Sequence, residues 1–421
     1  MSKKNIQSSV KQTNKIVSNN SLHVSDLTTQ TTMQPKMLRQ LSPKYDLKLR
    51  IKRYNLIQKT LVKLNKNFTK NTCLEKNYYN QIFKLQATYK IKDIIILAHK
   101  IGSQSAVGSI YKTVIYNNPI NIATKVMSAS SGNKLETKLM KAITEQIILT
   151  KKSRHFLIMY CYSLCSEIIK SNYALANFNE LAVNDIYHLL HREKIENNDE
   201  LYNILIQSFL SIGTFHNLTG YIHTDCHSKN FLYINNTENK DNGYYHYVFN
   251  NKNYYLKSCK YNVMIYDFGL SKYIGMNKNE FRDYIINITI FVKKIYELST
   301  EKINLIDNEI NSNIEYYKNL IIIKDYTKIL YDIIYYIKDD NGDKNIILTE
   351  IVKKINKINL KTKTSYDLLK DIFIAVLKIC LEYFPQLFFT DIEKLPVGSI
   401  IINKGNPYEL YSKSKIVLMD L

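Results

Sequence analysis

Three oxygen-bearing side chains at two points of the sequence could together carry out phosphoryl transfer. Asp225 and Asn230 lie five residues apart within the stretch 221–233, and Asp267 follows the apolar run 263–266. Transfer of a phosphoryl group to a hydroxyl needs a carboxylate that orients the hydroxyl and accepts its proton. It also needs oxygen ligands for the Mg²⁺ ions that bridge the nucleotide phosphates. The spacing therefore assigns Asp225 to the first role and Asn230 and Asp267 to the second.

The same stretch is open to two other interpretations. His223, Asp225 and His227 alternate along the chain and could hold a metal ion, or these residues could form an ordinary polar loop. Phosphoryl transfer is favoured because the two motifs follow one another in order and an apolar run enters each of them. An isolated Asp-Phe-Gly tripeptide would be weak evidence, whereas the ordered pair is much more specific.

The sequence upstream of these motifs predicts strands that could present a phosphate-binding loop and a lysine. Apolar alternation and turn residues indicate strand, loop, strand, turn and strand over 94–127, with Lys125 on the third strand. The loop contains Gly102, Ser105 and Gly108, and backbone N–H groups of small residues can approach phosphates closely. Lys125 could then contact the phosphates, and the alternative is a solvated lysine on a strand.

Further elements are predicted on either side of the Asp225 stretch. The pattern over 173–182 indicates a strand that runs into a connecting segment, and Asp185 can cap the helix that follows. A longer helix with an apolar stripe ends at Gly220. Aromatic residues that alternate around turn signals predict inserted β-hairpins over about 233–262. The tyrosines of these hairpins could stack on bases, but packing on a large lobe of the chain is favoured. Helical patterns then dominate, over about 281–299, 321–338, 345–358 and 366–384.

Composition limits the class of protein. The chain has 421 residues, of which 45% are hydrophobic, so it can bury one large core or two linked lobes. A formal net charge of +21 attracts polyanions, which the basic surface could contact. Residues 1–45 predict a disordered basic arm that could contribute to this contact. Lys378, Glu382 and Pro385 interrupt the longest apolar stretch near the end of the chain, so we expect no membrane span.

The cysteines predict neither a zinc site nor a disulfide framework. The chain has 6 cysteines and no C-x-x-C pair, and Cys161 and Cys165 could share a helix face without a second ligand pair nearby. Reduced thiols in a soluble intracellular protein are therefore the default expectation. The first residues lead into polar sequence and contain no apolar core of a signal peptide.

Taken together, the motifs resemble those of the protein-kinase-like superfamily over about 94–300. Closer still, Glu180-Leu181-Ala182-x-x-Asp185, His223-x-Asp225-Cys226-His227-x-x-Asn230 and Tyr266-Asp267-Phe268-Gly269 are similar to the serine/threonine kinases of giant DNA viruses of the mimivirus type. The resemblance implies an α+β, bilobal fold with a small β-rich N-lobe and a larger, mostly helical C-lobe. It also implies ATP and Mg²⁺ as cofactors, a hydroxyl acceptor on a protein or small molecule, and, for a viral protein, a place in the host cytoplasm or the virion.

The resemblance also implies roles for individual residues and a division into domains. Asp225, Lys125 and His227 are expected to be catalytic, and Asn230 and Asp267 to bind the metal. The expected nucleotide contacts are Gly102, Ser105, Gly108, Ile110, Ala123, Lys125, Glu145, Glu180 and Ala182. The expected domains are an arm (1–45), a helical extension (46–93), the N-lobe and hinge (94–182), and the C-lobe with hairpins and a tail (183–421).

A carboxylate on the helix predicted over 133–151 is expected to pair with Lys125. Glu136 and Glu145 are the candidates. Glu145 lies near the middle of this helix, which suits the pairing with Lys125. Glu136 lies near its start and is expected to be a surface charge.

Two departures from the family pattern keep the acceptor class open. His227 stands two residues after Asp225, where protein kinases usually have lysine, and this arrangement is similar to aminoglycoside- and choline-kinase-like enzymes. The charge of a histidine also depends on pH. No proline occurs between Pro119 and Pro385, so an Ala-Pro-Glu motif is absent after Asp267. A serine/threonine protein kinase is favoured, and a small-molecule kinase and a pseudokinase scaffold are the alternatives.

Overall fold

The computed structural model describes fifteen stretches of the chain, which belong to one compact unit. These stretches are residues 46–64, 73–77, 88–91, 95–101, 108–115, 118–165, 175–192, 195, 197–236, 243–286, 313–337, 345–362, 364–395, 400–402 and 409–410. The predicted basic arm over 1–45 lies outside them.

Seven strands of the described residues form one antiparallel sheet: β1 (Glu75–Asn77), β2 (Thr88–Ile91), β3 (Ile95–Ile101), β4 (Gly108–Ile115), β5 (Ile122–Met127), β6 (Met159–Leu164) and β7 (Leu175–Glu180). Their order is β1-β2-β3-β4-β5-β7-β6. Every residue of β5 is buried, since this strand lies between β4 and β7. The strands predicted over 94–127 and 173–182 are confirmed.

The first described helix, α1 (Asp46–Leu64), packs on this sheet through Leu47, Ile57 and Leu61, which are buried. The expectation of helix throughout the following stretch is wrong, because β1 and β2 lie there and extend the sheet. Helical periodicity in a lysine-rich segment did not separate the helix from these two short strands. The expected boundary between a helical extension and an N-lobe stays a prediction.

Helix α2 (Ser131–Ile143) follows β5 and is fixed at its start by a side-chain cap. The Ser130 hydroxyl accepts a hydrogen bond from the Asn133 N–H, which satisfies one of the unpaired donors of the first turn. Leu139 and Ile143, four residues apart on one face of the helix, are buried. The helix does not continue to residue 151 as α-helix, because a wider π-helical turn covers Thr144–Ile148.

The remaining described helices are α3 (Ile186–Arg192), α4 (Asn198–Thr219), α5 (residues 278–286), α6 (Ile314–Tyr336), α7 (Ile346–Asn356) and α8 (Ser365–Tyr383). Helices α6 and α8 pack against the long helix α4. Helix α4 is buried along nearly its whole length, and it ends as predicted at Gly220, whose φ of 73° closes the last turn. The Asp185 side chain caps α3 by accepting from the His188 N–H at 2.6 Å, which confirms its predicted role.

The other described strands lie between these helices or after the last of them. They are β8 (Asn184–Asp185), β9 (Tyr221–Ile222), β10 (Phe231–Asn235), β11 (Gly243–Phe249), β12 (Lys252–Lys257), β13 (Tyr261–Ile265), β14 (Lys272–Tyr273), β15 (Phe388–Phe389), β16 (Ile400–Ile402) and β17 (Glu409–Leu410). Strands β11 and β12 form a predicted hairpin, and its turn residues Asn250 and Asn251 both have positive φ. Strands β10 and β13 also pair antiparallel. The mixed α+β class is confirmed.

A disulfide joins Cys73 to Cys165, with their Cα atoms 4.8 Å apart. The expectation that all cysteines are reduced is therefore wrong for this pair. Cys73 precedes β1 and Cys165 follows β6, and these strands are the two edges of the sheet. Because the sheet curls until its edges meet, two thiols separated by 92 residues come together. No helix among the described residues has the length and apolar character needed to cross a bilayer.

Candidate active site

Lys125 lies at the centre of a buried charge cluster. Its Nζ lies 2.8 Å from both carboxylate oxygens of Glu136 and 3.0 Å from Oδ1 of Asp267. The side chains of Lys125 and Glu136 are 2% and 0% exposed, while that of Asp267 is 31% exposed. The cluster therefore has one open side, formed by Asp267.

The expected pairing of Lys125 with Glu145 is wrong, because Glu136 is the partner. Glu145 is exposed and lies on the π-helical turn after α2, where it lines a small cleft with Tyr54 and Tyr160. Glu136, expected to be a surface charge, is fully buried. The contribution of Glu145 to a nucleotide site stays a prediction without a contact to support it.

Close packing between α2 and the Asp-Phe-Gly loop explains why Glu136, and not Glu145, pairs with Lys125. A Cβ atom built on Gly132 would lie 3.1 Å from the carbonyl oxygen of Gly269, and one on Gly269 would lie 3.5 Å from Oε2 of Glu136. The start of α2 therefore lies directly against residues 267–270. Glu136, in the second turn of α2, therefore lies beside this loop and reaches Lys125.

The carboxylates keep Lys125 charged in spite of its burial. Burial acts to lower the pKa of Lys125, but the nearby Glu136, Tyr266 and Asp267 outweigh it and raise the pKa above its ordinary value. A buried ammonium that is held in one position by two carboxylates is suited to bind phosphate oxygens on the open side of the cluster.

Residues on the strands beside Lys125 form the surface on which a nucleotide is expected to lie. Ile110 on β4 lies directly opposite Lys125, and Ala123 precedes Lys125 by two residues on β5. These three side chains share one face of the sheet. Gly108 starts β4, and a Cβ atom there would lie 2.5 Å from the Val126 carbonyl oxygen, so a side chain does not fit. The expected phosphate loop, with Gly102 and Ser105, lies outside the described residues.

Asp225 lies in the loop after β9 and is surrounded by donors. Asn230 Nδ2 donates to Oδ2 of Asp225 at 3.2 Å, and His227 Nε2 lies 3.3 Å from the same oxygen. The ammonium of Lys328, on α6, donates to Oδ1. Burial acts to raise the pKa of Asp225, but the hydrogen bonds from His227 and Lys328 outweigh it and hold the pKa well below its usual range. The carboxylate is therefore ionised at neutral pH, the state that can accept a proton.

Strand pairing brings Asn230 and Asp267 together, as the sequence predicted from their motifs. Phe231 on β10 pairs with Ile265 on β13, and the Tyr266 N–H donates to the Asn230 carbonyl at 2.9 Å. Nδ2 of Asn230 also donates to the main-chain carbonyl of Asp225 at 2.9 Å, which leaves its Oδ1 as the oxygen for a cation. Mg²⁺ is commonly held by one or two protein oxygens together with phosphates and water, so the two side chains fit this ion.

The alternative metal site at His223, Asp225 and His227 does not fit the geometry. Nε2 of His223 donates to the Tyr266 carbonyl at 2.9 Å, and its Nδ1 accepts from the Asp225 N–H at 3.3 Å. Burial, opposed by nearby carboxylates, lowers the pKa of His223. Both ring nitrogens are thus engaged in holding the two motifs together.

One face of α6 organises the Asp225 loop. Asp325 accepts the backbone N–H groups of His223 and Thr224 at 2.7 and 2.8 Å, and Asp332 accepts the N–H and hydroxyl of Ser228 at 2.7 and 2.9 Å. Asp325, Lys328 and Asp332 are spaced by three and four residues, so they project from the same side of the helix. Sequence reasoning missed all three, because they lie about 100 residues after the loop.

Two residues of the site adopt backbone conformations that are uncommon for residues other than glycine. Thr224 has φ 67° and Asp267 has φ 64°. Hydrogen bonds hold Thr224 in place, since its N–H reaches Asp325 and its hydroxyl donates to the Leu270 carbonyl at 2.9 Å. Such strain is typical of functional sites and persists where surrounding contacts fix the backbone.

Aromatic packing fixes the Asp-Phe-Gly loop on the side that faces the core. Phe268 is buried and its ring centroid lies 4.8 Å from that of Phe215 on α4, 5.5 Å from His223 and 6.5 Å from Phe156. Because Phe268 points into the core, the preceding Asp267 faces the opposite way, towards Lys125. The sequence signal for this cluster was limited to the motif itself.

The expected hinge contains an ion pair that sequence reasoning missed. Glu180 at the end of β7 is buried, and its carboxylate accepts hydrogen bonds from Arg50 on α1 at 2.8 and 2.9 Å. Its N–H donates to the Ile158 carbonyl at 2.8 Å. Ala182, two residues on, is half-buried. Adenine contacts at Glu180 and Ala182 stay a prediction.

A scan of the chain against models of protein families finds no match, and a search of the curated proteins finds no similar sequence.

Proposed function

We propose that the chain is an ATP- and Mg²⁺-dependent phosphotransferase of the protein-kinase type, with a bilobal fold and a site between its lobes. The observation that carries this proposal is the convergence of Lys125, Glu136 and Asp267 on one side and of Asp225 and Asn230 on the other. Strand β10, which follows Asn230, pairs with β13, which precedes Asp267. A positioned cation, two cation ligands and an ionised carboxylate are the groups that phosphoryl transfer to a hydroxyl requires.

Each side chain has a distinct part in the proposed reaction. Lys125, oriented by Glu136, holds the phosphates of ATP, and Asn230 and Asp267 would hold Mg²⁺, which neutralises the phosphate charge. Asp225 orients the acceptor hydroxyl and accepts its proton as the bond from oxygen to the γ-phosphorus forms and the bond to ADP breaks. A serine or threonine hydroxyl of a protein is the favoured acceptor.

A small-molecule acceptor is the second candidate, and the segment after Asp267 favours it. Only a short stretch separates the Asp-Phe-Gly loop from α5, and its strand β14 is paired with β9. This stretch offers little surface for a peptide. His227 in place of lysine points to the same class of acceptor.

Incubation with γ-labelled ATP, Mg²⁺, mixed protein substrates and mixed aminoalcohols tests both candidates. We expect label to appear on one acceptor class with the wild type. We expect Asp225→Asn to bind ATP with nearly unchanged affinity and to transfer about 10²–10⁴-fold more slowly. Full activity of Asp225→Asn would contradict the mechanism, and a wild type that binds ATP but labels nothing would favour a pseudokinase.

A further inference from the structure

Among the described residues of α6, Lys328 is the only positively charged side chain that faces the Asp225 loop. Its ammonium donates to Oδ1 of Asp225, and His227 approaches the other carboxylate oxygen at 3.3 Å. The Lys328 side chain is 33% exposed, while Asp325, one turn earlier, is 1% exposed. Lys328 therefore lies at the rim of the site, on the side that a bound substrate can reach.

The position of Lys328 is fixed by its own helix. Asp325 precedes it by three residues and Asp332 follows it by four, and both bind the Asp225 loop through backbone donors. These contacts hold Lys328 against the loop even if its bond to Asp225 is broken. A partly exposed ion pair contributes little to stability, so the pair itself has little value as a structural support.

We propose that Lys328 is a catalytic residue that contacts the γ-phosphoryl group during transfer, an inference that rests on the proposed function. Its ammonium has three N–H donors, so it can keep its pair with the ionised Asp225 and also donate to the γ-phosphate of bound ATP. When Asp225 takes the proton of the acceptor hydroxyl it becomes neutral, and Lys328 is released from that partner. At the same moment negative charge spreads over the oxygens of the transferring group, where a fixed cation stabilises it.

Lys328 suits this task better than His227, although both lie beside Asp225. Lys328 is carried by a helix that Asp325 and Asp332 fix against the loop, and its ammonium donates directly to Asp225. The balance of the step is simple: the hydroxyl proton moves to Asp225, the acceptor oxygen bonds to phosphorus, and ADP leaves with the electrons of the broken bond. Lys328 exchanges no proton in this step and acts only through its charge.

Nucleotide binding provides a readout apart from turnover. We would measure the affinities for Mg²⁺ with ADP and for Mg²⁺ with the β,γ-imido analogue of ATP, which differ by the terminal phosphate. We expect Lys328→Met to lose about tenfold of the wild-type preference for the analogue, as expected when one charged contact of about 1.4 kcal/mol is removed. The affinity for ADP should not change.

Matched variants identify the charge as the cause. Lys324→Met removes an exposed lysine from the same helix and should behave as wild type, and Lys328→Arg should keep most of the preference. We expect transfer by Lys328→Met to fall about 10²–10³-fold, the loss typical of one charge-stabilising donor. Lys328→Gln, which keeps a polar partner for Asp225, serves if Lys328→Met does not fold.

The outcomes separate this inference from the proposed function. If Lys328→Met transfers slowly but keeps the full preference for the analogue, Lys328 only positions Asp225 and the inference is overturned. If Lys328→Met keeps both properties, the inference is overturned while the proposed function stands. If the wild type neither binds nucleotide nor transfers phosphate, the proposed function fails and the inference fails with it.

Discussion

Both carboxylate oxygens of Glu136 lie 2.8 Å from the ammonium nitrogen of Lys125, and water reaches almost none of either side chain. Removing one partner of such a pair leaves a buried charge without compensation, which is strongly destabilising. The pair thus connects the stability of the fold to the position of the cation that the proposed reaction uses.

Glu136→Gln is therefore expected to reduce both stability and transfer. The free energy of unfolding should fall by about 3–5 kcal/mol, because Lys125 keeps only the partly exposed Asp267 as an acidic partner. Denaturant titration and the transfer rate measure the two effects. Glu145→Gln is the matched control, and as an exposed residue it should stay close to wild type. The reverse ranking of the two variants would refute the pairing.

Asp267→Asn is expected to separate metal binding from nucleotide binding. Replacing a charged oxygen ligand by a neutral amide weakens the hold on Mg²⁺. Nucleotide affinity, measured with and without Mg²⁺, should therefore lose most of its enhancement by the metal. Asp283→Asn, an exposed change on α5, should retain the enhancement. An unchanged metal effect in Asp267→Asn would exclude it as a ligand.

Asp325→Asn is expected to destabilise the Asp225 loop, which Asp325 contacts although it lies far from the loop in the sequence. Its carboxylate accepts from the N–H groups of His223 and Thr224 and lies 2.8 Å from Nε2 of His216. An amide has only one accepting oxygen, so at least one bond to a charged group is lost, which contributes about 1.5–3 kcal/mol. Unfolding by denaturant should show this loss. Asp332→Asn should have a smaller effect because Asp332 is less buried, and equal stability of Asp325→Asn and wild type would count against the anchoring role.

Protonation of His155 on unfolding is expected to lower the free energy of unfolding in acid. Burial and the nearby Arg154 lower its pKa well below the ordinary value, while Nδ1 donates to the Val263 carbonyl at 2.8 Å and Nε2 accepts from the Tyr247 hydroxyl at 2.9 Å. The unfolded chain binds the proton first, so stability is complete above the unfolded pKa of about 6.5 and decreases as pH falls below it.

The slope measures how many protons are taken up on unfolding. One proton corresponds to about 1.4 kcal/mol per pH unit, and the free energy of unfolding should be measured between pH 7.5 and 5. His155→Gln keeps a donor and an acceptor but does not titrate, and its slope should be smaller by about one proton. Identical slopes for the two proteins would show that His155 is not responsible.

The sequence predicted those parts of the site that depend on short motifs. Asp225 and Asn230 lie on one loop, and the apolar runs beside Asn230 and Asp267 become β10 and β13, whose pairing brings the two residues together. Period-2 and turn patterns likewise predicted the strands that carry Lys125. Each of these features depends on residues close to one another in the chain, which is the range over which such patterns are informative.

The parts that the sequence did not predict depend on packing between distant segments. The choice of Glu136 over Glu145 is decided by the contact of Gly132 with Gly269, a relation that spacing along a helix does not reveal. Lys328 and Asp325 required knowledge of which face of α6 lies against the loop. The disulfide required the curl of the whole sheet.

The ion pair between Arg50 and Glu180 limits how far the chain can be shortened from its N-terminal side. Arg50 is 1% exposed and also donates to the Arg154 and Phe156 carbonyls. An expression fragment that starts at residue 94, where the motifs begin, would remove this guanidinium and leave an acidic group and two carbonyls buried without it. A stable fragment therefore has to begin before α1. Limited proteolysis should leave α1 associated with the remainder of the fold.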